Sequence, residues 1–301
     1  MPYTVKKIDI HVHSQEDLGM SFPRSNGETY ATPTEIRAMY DAWGIEFGIL
    51  LPEINVECAQ RVMSNEQAAL ICGKYPETFK WFMNIDPRMG GNSPTYDFVP
   101  MIEFYRSHGA LGIGEVCANL PFDDPLTENL ICCADECGMP FTVHLSSLKM
   151  QYGDYGLRDE FGLKRLEAIL KKYHNIKILG HSQMFWAHMS GDLTEEKMGG
   201  YPTGKVTSDG RLAELMREYP NLYGDMSAGS GGNAFMRDPD YAYRFIEEFA
   251  DRLLFGTDIC QPHNFFPLSG WLDESVMNGS ISQENYIKIC RGNALKLLGL
   301  Q

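Results

Sequence analysis

Strand-like and helix-like segments alternate along the whole chain, and this alternation limits the possible folds more than any other feature of the sequence. Eight short apolar runs are typical of strands, and segments with helical patterns separate them. Strands that alternate with helices in this way form parallel sheets. The predicted strands are Lys7–His13, Glu46–Leu51, Lys80–Asp86, Ala110–Val116, Pro140–Leu145, Ile176–His181, Asn221–Met226 and Arg252–Asp258.

Signals for the beginning and the end of helices support this assignment. Thr32-Pro33-Thr34-Glu35 has the pattern of a capping box with Pro in the first turn, and Gly44 is the expected C-terminal stop. Asp124-Pro125 marks the beginning of another helix. The last helix is predicted to begin at Ser282 and to end at Gly299.

The connections between the segments differ in length according to their direction. Each helix returns to the next strand through a few residues, whereas several strands lead to the next helix through long loops. Eight βα units with every long loop on one side indicate a (β/α)8 TIM barrel, whose active site lies at the C-terminal ends of the strands. The long loops are Ser14–Ala31, Ser146–Asp159, Ser182–Ser208 and Ile259–Ser280.

The length and composition fit one large domain. With 301 residues and 44% hydrophobic composition, the chain can bury the full core of a barrel. A doubly wound sheet is the alternative, but it rarely needs eight units and usually carries a Gly-rich first turn, which is absent here. No linker or low-complexity tract is visible, so we expect residues 1–301 to form a single domain.

Charge and cysteine content narrow the possible partners. The formal net charge is −14, and an acidic surface repels nucleic-acid phosphates and anionic lipids. The eight cysteines are scattered without a CxxC pair, so neither a zinc ribbon nor a disulfide framework is indicated. There is no apolar run of about 18 residues and no room for a signal peptide. We therefore expect a cytoplasmic protein with a small-molecule substrate, and assembly into a homo-oligomer is compatible with the sequence.

Histidines and carboxylates occupy the ends of five predicted strands. His11 and His13 lie two residues apart in the first strand, so both imidazoles leave the same face. In a barrel, the ends of all strands converge at one mouth, and imidazole with carboxylate is a typical ligand set for divalent transition metals. A metal site is therefore predicted from His11, His13, Glu115, His144, His181 and Asp258.

These elements resemble the amidohydrolase superfamily over the whole chain, and most closely its amidohydrolase-related branch, which includes aminocarboxymuconate-semialdehyde decarboxylase. The matching segments are Asp9-Ile-His11-Val-His13, His144, Gly180-His181, Leu254-Phe-Gly-Thr-Asp258 and Asn293–Leu300. The resemblance implies a divalent metal, commonly zinc, held by His11, His13, His144 and Asp258. It places His181 near the bound water or the substrate.

Glu115 is not part of the simplest ligand set that this resemblance implies. In its Gly-x-Gly-Glu setting it resembles the glutamate of TatD-like hydrolases, which helps to bridge two metals. In that arrangement His144 and His181 would hold the second ion, so the sequence leaves one or two ions open. We also expect Asp9 to share the inward face with His11, and Asp225 to face inward at the end of its strand.

The function expected from these residues is metal-dependent hydrolysis. Metal coordination lowers the pKa of water to about 7, Asp258 acts as general base and then general acid, and His181 polarises the substrate carbonyl. The substrate would be a small lactone, ester or amide. The alternative is a non-oxidative, metal-dependent decarboxylase of a small carboxylic acid. A TatD-like nuclease is less favoured because the chain is acidic. A non-catalytic metal-binding protein is less favoured because the full ligand set is present.

Loop residues on the same side of the barrel are candidates for substrate contacts. Arg24, Arg88 and Arg237 lie in loops on the active-site side, and one or more of them could clamp a substrate carboxylate. The alternative for each is an ordinary surface ion pair. Aromatic residues of the loop after the sixth strand, such as Trp186 and Tyr201, could wall a pocket or only pack a lid. The sequence does not distinguish among these residues.

Overall fold

The structure is a computed structural model that describes residues 4–17, 19, 22–23, 26–148 and 155–300. Its centre is one sheet in which every neighbouring pair of strands is parallel, in the order β1-β2-β3-β4-β5-β7-β8-β9, with β6 attached to β5. The strands are β1 Lys7–Val12, β2 Ile45–Leu50, β3 Phe79–Met83, β4 Ala110–Val116, β5 Pro140–Ser147, β6 Leu157–Asp159, β7 Lys177–His181, β8 Leu222–Asp225 and β9 Leu253–Leu254.

Backbone hydrogen bonds close this sheet into a barrel. The N–H of Ile10 donates to the carbonyl oxygen of Phe255, directly after β9, and the N–H of Asp258 donates to the carbonyl oxygen of His11. The N–H of His13 continues the seam by donating to Ile259. All eight predicted strands are present, and the predicted (β/α)8 barrel is confirmed.

Helices surround the barrel, and the predicted helix ends are confirmed. Thr32 caps α1 with a complete capping box to Glu35, and Gly44 ends this helix in the left-handed conformation at φ 69°. Asp124 and Ser282 cap α4 and α11. The helices are α1 Pro33–Trp43, α2 Asn65–Lys74, α3 Val99–Ser107, α4 Pro125–Glu136, α5 Lys164–Lys172, α6 Gln183–Ala187, α7 Arg211–Glu218, α8 Ala228–Met236, α9 Pro239–Phe249, α10 Leu268–Met277, α11 Gln283–Ile287 and α12 Asn293–Leu298.

Two apolar layers hold the fold together. The larger layer lies between the strands and the surrounding helices. The smaller layer fills the barrel interior with residues such as Ile8, Ile49 and Leu179, and Ala294 and Leu298 of α12 pack against it. Burial of apolar surface stabilises a fold by about 25 cal/mol per Å². Since apolar residues fill the interior, the polar strand ends are confined to the barrel mouth.

A bulge in β1 changes the face on which its residues lie. Asp9 pairs with Gly48 and Val12 with Leu50, so Ile10 and His11 together lie opposite one residue of β2. Asp9 consequently points towards α1, where it accepts a hydrogen bond from the Tyr40 hydroxyl at 2.7 Å. The expectation that Asp9 shares the inward face with His11 is wrong, because strict alternation along β1 does not hold.

The short strand β6 was not predicted. It lies within the long loop after β5 and extends the barrel wall beyond the end of β4, with Leu145 opposite Leu157 and Ser146 opposite Arg158. Asp159, at its end, accepts hydrogen bonds from the backbone N–H groups of Arg165 and Leu166. Asp159 therefore fixes β6 to the first turn of α5.

None of the helices among the described residues is long and apolar enough to traverse a lipid bilayer.

Asp159→Ala is expected to lower the free energy of unfolding by about 1–3 kcal/mol, because buried N–H groups at the start of α5 lose their acceptor. Urea unfolding followed by circular dichroism measures this change. The matched control is Asp240→Ala, since the side chain of Asp240 is 85% exposed, and its effect should stay within about 0.5 kcal/mol. Equal effects of the two substitutions would contradict the role given to Asp159.

Candidate metal centre

The structure brings all six predicted site residues together at the C-terminal ends of β1, β4, β5 and β7 and in the segment after β9. They form three overlapping groups, and within each group one nitrogen or oxygen atom per residue lies within 4.8 Å of the others. Five of the six are buried, and Asp258 is partly exposed towards the mouth. The groups are His11, His13 and Glu115; His11, His181 and Asp258; and Glu115, His144 and His181.

The two histidines of β1 direct their Nε2 atoms to one point. These atoms lie 3.1 Å apart. The other ring nitrogen of each is already engaged, because His11 Nδ1 donates to Asp225 at 2.6 Å and His13 Nδ1 donates to the Leu51 carbonyl oxygen at 3.0 Å. A histidine whose Nδ1 donates a proton keeps the Nε2 lone pair for a metal ion. Asp225 therefore faces inward, as expected.

His181 is oriented in the same manner. Its Nδ1 lies 3.0 Å from the Ser227 hydroxyl oxygen, and its Nε2 lies 3.8 Å from carboxylate oxygens of both Glu115 and Asp258. The sequence does not single out Ser227, because a small residue after a strand carries no recognisable signal.

Glu115 presents its two oxygens to different groups of histidines. Oε2 lies 3.5 Å from His11 Nε2 and 3.7 Å from His13 Nε2, whereas Oε1 lies 2.9 Å from His144 Nδ1 and 3.8 Å from His181 Nε2. This carboxylate can therefore contact two neighbouring ion positions.

Gly114 explains the Gly-x-Gly-Glu pattern in structural terms. Its φ is +139°, and a Cβ atom at this position would lie 2.6 Å from the Thr142 carbonyl oxygen. Only glycine fits this conformation and this close approach of β5. The pattern is thus what allows β4 to deliver Glu115 beside His144.

Asp258 completes the cluster from the opposite end of the chain. Its φ of 57° lies in the left-handed region, which is uncommon for a residue with a side chain. Its carboxylate lies 3.5 Å from His13 Nε2, and its side chain is 27% exposed. Asp258 is therefore the residue of the cluster most open to a molecule that enters the mouth.

The electrostatics of the cluster favour a bound cation. Burial by itself would lower the pKa of His11, but the charges of Asp225 and Glu115 outweigh burial and raise that pKa well above its usual value. Burial would likewise raise the pKa of Glu115, yet His11 and His144 hold it well below its ordinary range. Buried carboxylates thus require positive charge beside them. Imidazole nitrogen and carboxylate oxygen donors suit divalent metals such as zinc or manganese, so these residues fit a metal ion.

The arginines proposed from the loops differ in availability. Arg88 is ion-paired with Asp86 at 2.6 Å and Glu57 at 2.8 Å, so its guanidinium is occupied. Arg237 donates through Nη1 to the Gly204 carbonyl oxygen, whereas its Nε and Nη2 are buried without an acceptor among the described residues. Arg24 lies outside the described residues.

The loop aromatic residues have different roles. Trp186 is buried and donates from its indole N–H to the Asp225 carbonyl oxygen, so it packs beneath the site and does not wall a pocket. Tyr201 is 50% exposed and its hydroxyl oxygen accepts a hydrogen bond from Gln183.

Comparison with known proteins agrees with this architecture. An amidohydrolase family model matches residues 197–300, which include β8, β9 and Asp258. No curated protein matches the chain.

Solved structures match the chain over its full length. 2,6-Dihydroxybenzoate decarboxylase from Rhizobium has 18% identity and a TM-score of 0.61, with 99% of each chain covered. A dihydroxybenzoic acid decarboxylase from Polaromonas sp. JS666, with bound manganese and the inhibitor 2-nitroresorcinol, has 18% identity and a TM-score of 0.57, with 99% of this chain and 98% of that chain covered.

A third match is a probable 2-pyrone-4,6-dicarboxylic acid hydrolase from Acinetobacter baumannii with bound citric acid. It has 13% identity and a TM-score of 0.60, with 98% of this chain and 100% of that chain covered. These similarities establish the fold. The family match confirms the predicted resemblance to the amidohydrolase superfamily over residues 197–300, and the solved structures match the barrel of the whole chain.

Asp225→Asn is expected to weaken metal affinity about 10- to 100-fold, because the amide can donate to His11 Nδ1 and favour the wrong tautomer. Titration of the chelator-treated protein with zinc or manganese measures this change. Asp209→Asn, on the surface beside Arg217, is the control and should leave the affinity unchanged. Unaltered affinity in Asp225→Asn would show that His11 needs no carboxylate partner.

Glu115→Gln is expected to reduce the number of ions bound per chain, because the neutral amide cannot balance two neighbouring cations. Elemental analysis of the purified protein gives the stoichiometry, and circular dichroism checks the fold. Glu77→Gln, at an exposed position, is the matched control. If both variants bind as many ions as the unsubstituted protein, Glu115 does not bridge metals.

Proposed function

We propose that this protein, which resembles the amidohydrolase superfamily, is a metal-dependent enzyme that removes carbon dioxide from a small carboxylic acid without a redox step. The observation that carries the proposal is the buried cluster of imidazole and carboxylate donors at the mouth of this barrel. Support for decarboxylation comes from proteins of the same fold, two of which are decarboxylases and one of which holds manganese.

The proposed metal ligands are the six residues of the cluster, and zinc is the metal we expect first. His11, His13 and Glu115 would hold one ion, and Glu115, His144 and His181 could hold a second. Asp258 lies within 3.5–3.8 Å of His11, His13 and His181 and could contribute to either ion. A bound divalent cation supplies positive charge that stabilises negative charge developing on the substrate.

Decarboxylation breaks the bond between the substrate carbon and its carboxylate, and the electron pair left on the carbon must take up a proton. The Asp258 carboxylate would take this proton from solvent and pass it to the carbon, because Asp258 is the cluster residue most open to the mouth. His181 lies beside it at 3.8 Å and is fixed by Ser227, so it orients the reacting group.

Hydrolysis of a small lactone, ester or amide is the second candidate, and the position of Glu115 favours it. A carboxylate whose oxygens face two donor groups is suited to a two-ion site. In this reaction Asp258 would accept the proton of the attacking water and pass it to the leaving group.

Product analysis separates the two reactions. The metal-loaded protein is incubated with a panel of hydroxybenzoic and aliphatic carboxylic acids, and separately with neutral esters, lactones and amides. Carbon dioxide release from an acid, lost after chelation and restored by zinc or manganese, is the expected result. Acid release from a neutral substrate in a pH-stat without carbon dioxide would replace the proposal with hydrolysis. A fully metallated protein inert to both panels would overturn an enzymatic role.

Asp258→Asn is expected to lower kcat for carbon dioxide release by about 10²- to 10⁴-fold, because the amide cannot carry the proton. The assay is run at saturating metal so that weakened coordination does not account for the loss. Asp240→Asn, on the exposed surface of α9, is the matched control. Retention of most activity by Asp258→Asn would exclude this role for Asp258.

A further inference from the structure

The pairing of β6 with β5 determines the face of the sheet from which the Arg158 side chain projects. Arg158 lies in β6 opposite Ser146 of β5, and the adjacent pair is Leu145 opposite Leu157. Both leucines are buried in the outer layer between strands and helices. Successive residues of a strand point to opposite faces, so Arg158 leaves the face that Ser146 shares with His144. This face is the inner side of the barrel wall, beyond the metal cluster.

The Arg158 guanidinium has no protein partner in the part of the chain that the structure describes. Its Nε is buried without an acceptor, although the residue as a whole is partly exposed. Arg88, by contrast, is held by two carboxylates. A buried donor without an acceptor is destabilising, so an acceptor supplied by a ligand would be bound favourably.

The negative charge around the barrel mouth explains why the positive charge of Arg158 would be needed there. Glu115 and Asp258 belong to the cluster, Asp225 pairs with His11 behind it, and the whole chain carries a formal net charge of −14. A carboxylate that approaches these groups is repelled unless positive charge meets it. Next to the cluster, the ring of Tyr155 packs on His144 with ring centroids 4.5 Å apart, which provides an aromatic wall.

We propose that Arg158 binds a carboxylate group of the substrate at the barrel mouth and so selects anionic over neutral substrates. The planar guanidinium can hold both carboxylate oxygens, which fixes the orientation of the substrate relative to the cluster. This proposal rests on the proposed function only in that the substrate is a small carboxylic acid.

Binding measurements test the proposal without requiring turnover. The full-length, metal-loaded protein is titrated calorimetrically with benzoate, with succinate and with neutral benzamide. Arg158→Gln is expected to lose about 10- to 100-fold in affinity for at least one carboxylate, as expected for a charge-assisted hydrogen bond, and to keep its affinity for benzamide. Arg158→Lys should recover part of the loss. Arg244→Gln, which removes an exposed charge from α9, is the matched control and should change neither.

Chelator-treated protein separates the contribution of Arg158 from that of the metal. The affinity ratio between unsubstituted protein and Arg158→Gln should persist there. Equal carboxylate affinities of these two proteins, or no carboxylate binding by the unsubstituted protein, would overturn the proposal for Arg158. If carbon dioxide release is nevertheless observed, the proposed function stands. Loss of carboxylate affinity in Arg158→Gln, without carbon dioxide release from any acid by the unsubstituted protein, would sustain the anion site and reject the reaction.

Discussion

The hydrogen-bonded seam between β1 and the segment after β9 is the interaction on which the site depends. The N–H of Asp258 donates to the carbonyl oxygen of His11, and Asp9 accepts from both the N–H and the hydroxyl of Thr257. These bonds join the two ends of the chain, and they place the exposed carboxylate beside the paired histidines. The same hydrogen bonds therefore close the barrel and hold the cluster together, and a change that loosens the seam should weaken both.

The bulge in β1 places Asp9 and His11 on opposite faces of the strand, where they have different partners. Asp9, turned outward, binds Tyr40 of α1 and the Thr257 segment, and this fixes the strand. His11, turned inward, is oriented by Asp225 of β8. A strand with strict alternation would put Ile10 and His11 on opposite faces, so the apolar interior and the metal cluster could not both be supplied by β1. The bulge thus lets β1 contribute both Ile10 to the apolar interior and His11 to the polar mouth.

The sequence predicts the barrel and the six cluster residues because both depend on features that repeat. Apolar runs mark the strands, and polar residues at the ends of parallel strands must converge in any closed barrel. Asp9 was assigned to the wrong face because a bulge depends on pairing with β2, which one segment does not reveal. β6 escaped prediction because three residues within a long loop have no periodicity. Ser227 and Arg158 could not be singled out, since their positions follow from the partners they face.

Charge balance connects the cluster with Arg158. The carboxylate neighbours of His11 raise its pKa in spite of burial, so this position favours positive charge. A bound metal ion would supply that charge. A substrate carboxylate adds negative charge at the same mouth. A metal ion alone would then have to neutralise the charge of both the ligand carboxylates and the substrate. The Arg158 guanidinium on the barrel wall would neutralise the substrate carboxylate without acting as a metal ligand. If both proposals hold, β6 discriminates between anionic and neutral substrates, and the residues of β1, β4, β5, β7 and the segment after β9 carry out the reaction.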